Sequence, residues 1–503
     1  MTPLRVLSLL AAAALAAPAG AAAQSLAKRL TTELDQPPLD RHQWGIAVLD
    51  QRGRLVFGRN ADRMFMPASN AKLIVTSTAT VVLGPESTVR TPVYATGTTQ
   101  DGTLEGDLIL AGRGDPTWSG HCFETDTLAV GACVADPFAV FGPVAAALRA
   151  RGVRRIAGAV VGDGSWFEPL AVHPTWENDD LVWGYAAPVT ALGFNENLVA
   201  VLVEPTLPGS PARLAIEPDL GGLAVVNRVV TVGPEGRTDV SWRREGLVAI
   251  AEGTIRTGGR PDRSELAVPD PSRFAALALR RVLADSGIEV LGGVRSTADS
   301  TAYASARSGP PVAVIVSRPT RDWVFRILNV SQNWIAEMLL KRLGREAGTG
   351  GSWQAGLAVE RRFLIDSVAL DSTQFLLHDG SGLSAKNAVS PLTFVRLLDF
   401  MRKDRRFAAF AAGLPQAGAV GSLRSRYLET PLAGRVRAKT GSIGQVNTLS
   451  GFILPEAPGR LPCRTFSVQA NHHGLGGRTM IQAIDSVVVA IGAQTSCAAT
   501  PRR

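Results

Sequence analysis

The stretch Pro67-Ala68-Ser69-Asn70-Ala71-Lys72-Leu73-Ile74-Val75-Thr76 sets a serine three residues before a lysine at the start of an apolar run. On a helix, residues i and i+3 lie one above the other. The Ser69 hydroxyl and the Lys72 amine can then share a proton, as nucleophile and base. The plainer reading is a surface lysine behind a polar helix start. Lysine is scarce here, with six against 46 arginines, yet Ser25-Leu26-Ala27-Lys28 repeats the spacing, so spacing alone does not decide. Context separates the two. Leu73, Ile74, Val81 and Val82 suit a buried helix face, and Gly84-Pro85 is a stop signal. The pattern predicts a helix from near Ser69 with Lys72 on its first turn, whereas Lys28 sits near a mature terminus expected to fray.

Working outward, 503 residues are too many for one ordinary domain, and two or three are expected. Residues 1–23 combine Arg5, a Leu/Ala run and Ala21-Ala22-Ala23, which reads as a cleavable export signal. No later run of 18 apolar residues suggests a spanning helix. The reading is a periplasmic protein, at most peripheral to a membrane or wall. Without the signal, which holds one arginine and no acid, the formal charge falls from +8 to +7. Such a charge suits an anionic envelope surface, or simply solubility. The charges are scattered, without the aromatic-studded basic run that nucleic-acid binding needs.

Export permits disulfides among Cys122, Cys133, Cys463 and Cys497, and the local pairings 122–133 and 463–497 are favoured over the other two schemes. No C-x-x-C suggests a redox or zinc site. His472-His473, read as a strand pair, would point to opposite faces, which argues against shared metal ligation.

Residues 45–60 alternate around a glycine turn and read as a hairpin. From about 90 to 305, short alternating runs broken by Gly, Pro and Asp read as a β-rich insertion of one or two modules, with a helical stretch at 274–287. Helical patterns return from about 320. Arg435–Leu454 then reads as a second hairpin. Helices and antiparallel strands in separate runs predict an α+β fold.

A neutral lysine needs a depressed pKa, at about 1.36 kcal/mol per unit, and burial or a second cation can supply it. Lys439, in Lys439-Thr440-Gly441-Ser442, is the other lysine that stands out. It alternates with Val436 and Ala438 on a strand, and Gly441 leaves room for close approach of a ligand or another backbone. Its plain reading is an edge-strand lysine that blocks aggregation. Ser331-Gln332-Asn333 lies between two helical runs and can project two polar side chains into a cleft. Its plain reading is a helix cap.

Taken together and in this order, Ser-x-x-Lys, Ser-x-Asn and Lys-Thr-Gly form the signature of the penicillin-recognising serine acyl-transferases. The chain resembles the class C low-molecular-mass penicillin-binding proteins, the penicillin-binding protein 4 type of D-alanyl-D-alanine carboxypeptidase/endopeptidase. GDLILAGRGDPTW, YAAPVTALGFNEN, HDGSGLSAKNAVSP and VNTLSGF carry the resemblance across nearly the whole mature chain, and the long Ser69–Ser331 separation fits a family with a large insertion there. Three departures stand out: Gln332 where Asp is common, Ser442 where Thr is frequent, and a looser match at LPQAGAVGSLRSR. None removes a catalytic atom.

The resemblance implies a penicillin-binding/serine β-lactamase-like catalytic domain in two segments, 24–89 and 306–503, around the insertion at 90–305. It implies Ser69 as nucleophile, Lys72 as base and Ser331 as proton relay. Asn333 would orient the acyl amide, while Lys439 and Thr440 would hold the terminal carboxylate beside Gly441. Backbone N–H groups of Ser69 and Ser442 would form an oxyanion hole, where one donor is worth roughly 3–4 kcal/mol. Asp379–Ser384 would border the cleft, and Asp180 would read the ammonium of a peptidoglycan diamino acid. Peptidoglycan stem peptides are the implied substrates and β-lactams the implied acylating inhibitors. No metal or organic cofactor has a role, and the oligomeric state is open. A β-lactamase or a non-catalytic peptidoglycan-binding scaffold are the alternatives. An esterase would need a Gly-x-Ser-x-Gly elbow, which the sequence lacks.

Overall fold

Two hairpins far apart in the chain build one sheet. In the structure, a computed structural model describing residues 26–121, 123, 136–456 and 461–493, strands β1 (Gln43–Asp50) and β2 (Leu55–Arg59) form the first. Strands β3 (Val436–Ile443) and β4 (Val446–Ile453) form the second, and β5 (Arg464–Asn471) joins them. The sheet is antiparallel throughout, in the order β2-β1-β5-β4-β3. The helices around it are α1 (Leu26–Leu34), α2 (Lys72–Val82), α3 (Thr320–Asn329), α4 (Asn333–Ala347), α5 (Trp353–Arg362), α6 (Pro391–Met401) and α7 (Gly477–Ala493).

Strand side chains alternate between faces, and here both faces are covered. Ile46, Val48, Leu449 and Val468 pack with Leu30 and Leu34 of α1 and Ile484 and Val487 of α7. On the other face, Ala47 and Leu49 meet Val395 of α6. Helix α2 runs through the middle of that second layer, buried from Lys72 to Thr80. Its Leu73 and Ile74 pack with Val324, Leu328 and Phe394, while Val75 and Ala79 pack with Trp323, Ile335 and Met338. Val82, expected on the buried face, is exposed at the end of the helix.

The chain leaves this layer at strand 90–95 and returns at strand 313–316, and the two strands pair with each other. Exit and entry therefore lie side by side, and the intervening chain can form its own layers without breaking the central sheet. The intervening chain holds strands in several sheets, with the helix Pro271–Asp285 packed on strand 160–163. The molecule is α+β, and the insertion departs from antiparallel pairing in several places, as where strand 224–232 runs parallel to strand 248–256 and strand 155–156 to strands 103–104 and 289–290. Strands 108–111, 160–163 and 294–297 run parallel, their connections carrying the helices Gly142–Ala150 and Pro271–Asp285.

The proposed export signal and Cys122, Cys133 and Cys497 lie outside the described residues. Cys463 is disulfide-bonded. No helix among the described residues is long and apolar enough to cross a membrane. His472 and His473 are not a strand pair. Strand β5 ends at Asn471, and the positive φ of His472 turns the chain, leaving His473 buried against His42.

Leu449 is fully buried between β4 and the terminal helices. Leu449→Ala is expected to cost about 2–5 kcal/mol, read as a lower urea midpoint; an unchanged midpoint would show that this layer does not limit stability.

Candidate active site

Ser69 lies in a single tight turn, Ala68–Ala71, that runs straight into α2 at Lys72. The turn is pinned from three sides. Thr448 Oγ1 of β4 donates to the Pro67 carbonyl at 3.0 Å, and the Asn70 amide donates to Ser450 Oγ at 2.7 Å. Gly441 of β3 lies against it so closely that an added Cβ would strike Thr448 Oγ1 and come within 2.9 Å of Pro67 O and 3.1 Å of Ser69 N. The third side is Gly382, whose positive φ and missing Cβ let the loop pass directly over the Ala68 carbonyl. Ala68 itself holds a positive φ of 47°, which is strained for a residue with a Cβ.

Lys72 Nζ donates to Ser69 Oγ at 2.9 Å, to Asn333 Oδ1 at 2.6 Å and to the Ser381 carbonyl at 2.7 Å. Its side chain is 0 % exposed. Burial lowers its pKa to about 7, against the opposing pull of Asp379 and Glu337. Of the two sources named from sequence, burial and a second cation, burial is the one that lowers Lys72. The cation effect falls on the partner. Lys439 is pushed well below the ordinary lysine range first by burial and then by the charge of Lys72.

Lys439 does sit on the edge strand, but it points inward and is fully buried, so it does not guard that edge. Its Nζ donates to Ser331 Oγ at 2.8 Å and to the Thr440 carbonyl at 2.7 Å. Ser331 occupies the break between α3 and α4 with a φ of 66°. Capping of α4 belongs to neither Ser331 nor Asn333. Gln332 does it, its Oε1 accepting from the Ile335 N–H at 3.2 Å. That leaves both flanking side chains free for the two lysines.

Ser69 and Asn333 are thus bonded to one amine, Lys72, and Ser331 to the other, Lys439, whose titration feels the charge of Lys72, and Gly441 lines the turn that carries Ser69. Thr440 and Ser442 lie at the rim. Thr440 Oγ1 shares a 2.8 Å hydrogen bond with Ser422, and Ser442 Oγ accepts from Asn447 at 2.8 Å. Asp180 is not in this cluster. It accepts from the Tyr185 hydroxyl at 2.7 Å, and the Tyr185 carbonyl accepts from Asn333 Nδ2 at 2.9 Å. Two hydrogen bonds across one tyrosine therefore separate it from Asn333.

Glu196 and Glu337 are supports not singled out from sequence, whereas Asp379 opens the turn expected to border the cleft. Glu196, buried with a φ of 53°, accepts from Gln332 Nε2 at 2.6 Å and from Arg326 at 3.1 Å. Burial pushes this carboxyl up, but Arg326 and His121 outweigh it and hold it at about 2. The Asp379 carboxylate accepts from the N–H groups of Gly382 (2.9 Å) and Ser384 (2.6 Å), from Asn387 (2.7 Å) and from Trp176 Nε1 (2.9 Å). It thereby shapes the Asp379–Ser384 turn that brings Ser381 O to Lys72. The available signal was an acid inside an apolar helical face, as at Glu337 amid Trp334, Ile335, Met338 and Leu339. Glu196 had no such periodicity to mark it.

A buried amine of lowered pKa beside a half-buried hydroxyl is an activated nucleophile pair. Known proteins have sequences related to this one. A D-alanyl-D-alanine carboxypeptidase from Actinomadura sp. (strain R39) is 30% identical over 486 residues, covering 94% of this chain and 86% of that protein. D-alanyl-D-alanine carboxypeptidase DacB from Haemophilus influenzae is 25% identical over 81% of each chain. The crystal structure of penicillin binding protein 4 from Haemophilus influenzae shares the fold, with a TM-score of 0.77 at 22% identity, covering 94% of this chain and 99% of that one. A single family description spans residues 26–490, from α1 into α7, and by that match the chain belongs to the D-Ala-D-Ala carboxypeptidase 3 (S13) family.

Proposed function

We propose that this chain is an exported serine D-alanyl-D-alanine carboxypeptidase and endopeptidase, acting on peptidoglycan stem peptides and their cross-links through an acyl-enzyme on Ser69. The observation that carries the reading is the 2.9 Å hydrogen bond between Ser69 Oγ and a fully buried Lys72 whose pKa lies at about 7. Membership of the family and the activity named for its relatives support the substrate class.

In the proposed reaction, Ser69 Oγ bonds to the carbonyl carbon of the penultimate D-alanine as its proton passes to Lys72. Asn333 orients the acyl amide, and its hold on Lys72 keeps the amine aimed at the hydroxyl. The N–H groups of Ser69 and Ser442 stabilise the oxyanion. Lys439 and Thr440 receive the terminal carboxylate, and Gly441 lets their strand lie close against the Ser69 turn. The leaving amine takes a proton through Ser331, which the 2.8 Å bond to Lys439 keeps in place. Water then attacks the acyl carbon and releases Ser69. A β-lactam enters the same first step and acylates Ser69. The two segments 24–89 and 306–503 act as the catalytic domain, and the insertion at 90–305 contributes Asp180 as the acid that meets the diamino-acid ammonium.

Three outcomes follow. Intact mass after mixing with benzylpenicillin is expected to show a long-lived adduct on the parent protein and none on Ser69→Ala. A folded parent without an adduct would sink the mechanism, and an adduct lost within seconds would favour a β-lactamase. Lys72 must be neutral to accept a proton, so the acylation rate is expected to rise with pH, about tenfold per unit below about 7, and to level off above. A rate independent of pH from 5 to 9 would remove Lys72 as the base. Asp180→Asn is expected to lose more turnover on a stem peptide with a free side-chain amine than on one with that amine acetylated; equal losses would remove Asp180 from recognition.

A further inference from the structure

Beneath the catalytic lysine lies a group of carboxylates that the mechanism above does not use. Glu337 is 0 % exposed and sits one turn after Asn333 on α4, so i to i+4 spacing puts both on the face that meets Lys72. Its Oε1 accepts from the Ser381 N–H at 2.6 Å. Its Oε2 accepts from the Trp353 indole N–H at 2.7 Å and from the Gly380 N–H at 3.1 Å. Two of those donors are the peptide N–H groups on either side of Gly380, and the Ser381 carbonyl accepts from Lys72 Nζ at 2.7 Å. One residue of α4 thus holds the lysine directly, and a second holds it through the loop.

We propose that Glu337 is a positioning residue for Lys72, its carboxylate clamping the Gly380–Ser381 backbone so that the Ser381 carbonyl fixes the amine against Ser69. This inference rests on the reading of Lys72 as the base. Each of the three donors needs an acceptor, and only a carboxylate presents one on both sides. A glutamine would turn its NH₂ either on the Ser381 N–H or on the Trp353 and Gly380 pair, setting donor against donor. The clamp is also electrostatic. Glu337 and Asp379 both favour the charged form of Lys72. Burial and the adjacent Asp379 raise the Glu337 carboxyl, while the N–H groups of Ser381, Trp353 and Gly380 favour its ionised form.

The other titratable groups around this assembly are Glu360 on α5, Lys341 on α4, Lys439 on β3, Glu168, which accepts from the Trp353 backbone N–H, and His173, whose ring packs edge-on against Trp353. Glu360 is buried and pushed well above the ordinary range by burial, with Glu337 and Asp379 adding to the push. Lys341 is lowered to about 8 by burial and rests 3.5 Å from the centre of the Trp353 ring. Neither bonds to the Gly380–Ser381 backbone. Glu337 alone connects α4 to the loop carbonyl that touches Lys72.

The test measures the rate of acylation by benzylpenicillin against pH for the parent, Glu337→Gln and Glu337→Asp, with folding checked by near-UV circular dichroism. In Glu337→Gln the plateau rate is expected to fall about ten- to a hundredfold, because the Ser381 carbonyl is displaced. Removing a negative charge that favours protonated Lys72 should also move the rising limb to lower pH, by about one pH unit. Glu337→Asp keeps the charge at a shorter reach, so its plateau should fall while its limb stays with the parent. A residue that only maintains the fold would lower the rate without moving the limb. A Gln variant with an unmoved limb, or an Asp variant whose limb moves as far as that of Gln, overturns the proposal. If the parent is not acylated at all, the acyl-enzyme reading has failed instead, and the two failures are told apart in one experiment.

Discussion

Two lysines with no access to water hold this site together. A buried ammonium group is costly, and the protein meets the cost by satisfying each amine with hydrogen-bond acceptors and by lowering its pKa. Lys72 has three acceptors and Lys439 has two, drawn between them from the turn before α2, the α3–α4 break, the Asp379–Ser384 turn and the edge strand β3. Each of those segments has to arrive with its oxygen in place. The strained backbone at Ala68 and Ser331 and the side-chain-free approach of Gly382 and Gly441 are consequences of that demand.

The same demand explains why the central sheet is made from both ends of the chain. Ser69 sits on a turn delivered by the first hairpin, and Lys439 on a strand of the second, so closing β1 onto β5 and β5 onto β4 joins the two halves of the site. An insertion is tolerated between them because its first and last strands pair. Loop-closure entropy grows slowly with length, so a long insertion with adjacent ends costs little more than a short one.

Gln332, where the family resemblance led to an expected aspartate, serves the local geometry in two ways. An aspartate at that position could cap α4, but it would bring a second carboxylate toward Glu196. Glutamine instead caps the helix with its oxygen and donates its amide to Glu196. The capping oxygen is thus kept without a like-charge contact to Glu196.

Local signals determined a great deal. The apolar run after Lys72 with its Gly-Pro stop and the alternation around both hairpins predict α2 and the paired strands, whereas the residues expected to meet at Ser69 came from the family resemblance that the three motifs carry. Helix and strands rest on short-range properties, set by side-chain period and turn chemistry. Tertiary structure decided the rest. That Lys439 points inward, that Gln332 is the cap, and that burial lowers Lys72 all depend on which surfaces pack together, and no neighbour in sequence reports that. Glu337 is the sharpest case. Its identity and helical phase were legible, but its role comes from a loop more than forty residues away whose peptide N–H groups turn toward it only in the folded protein.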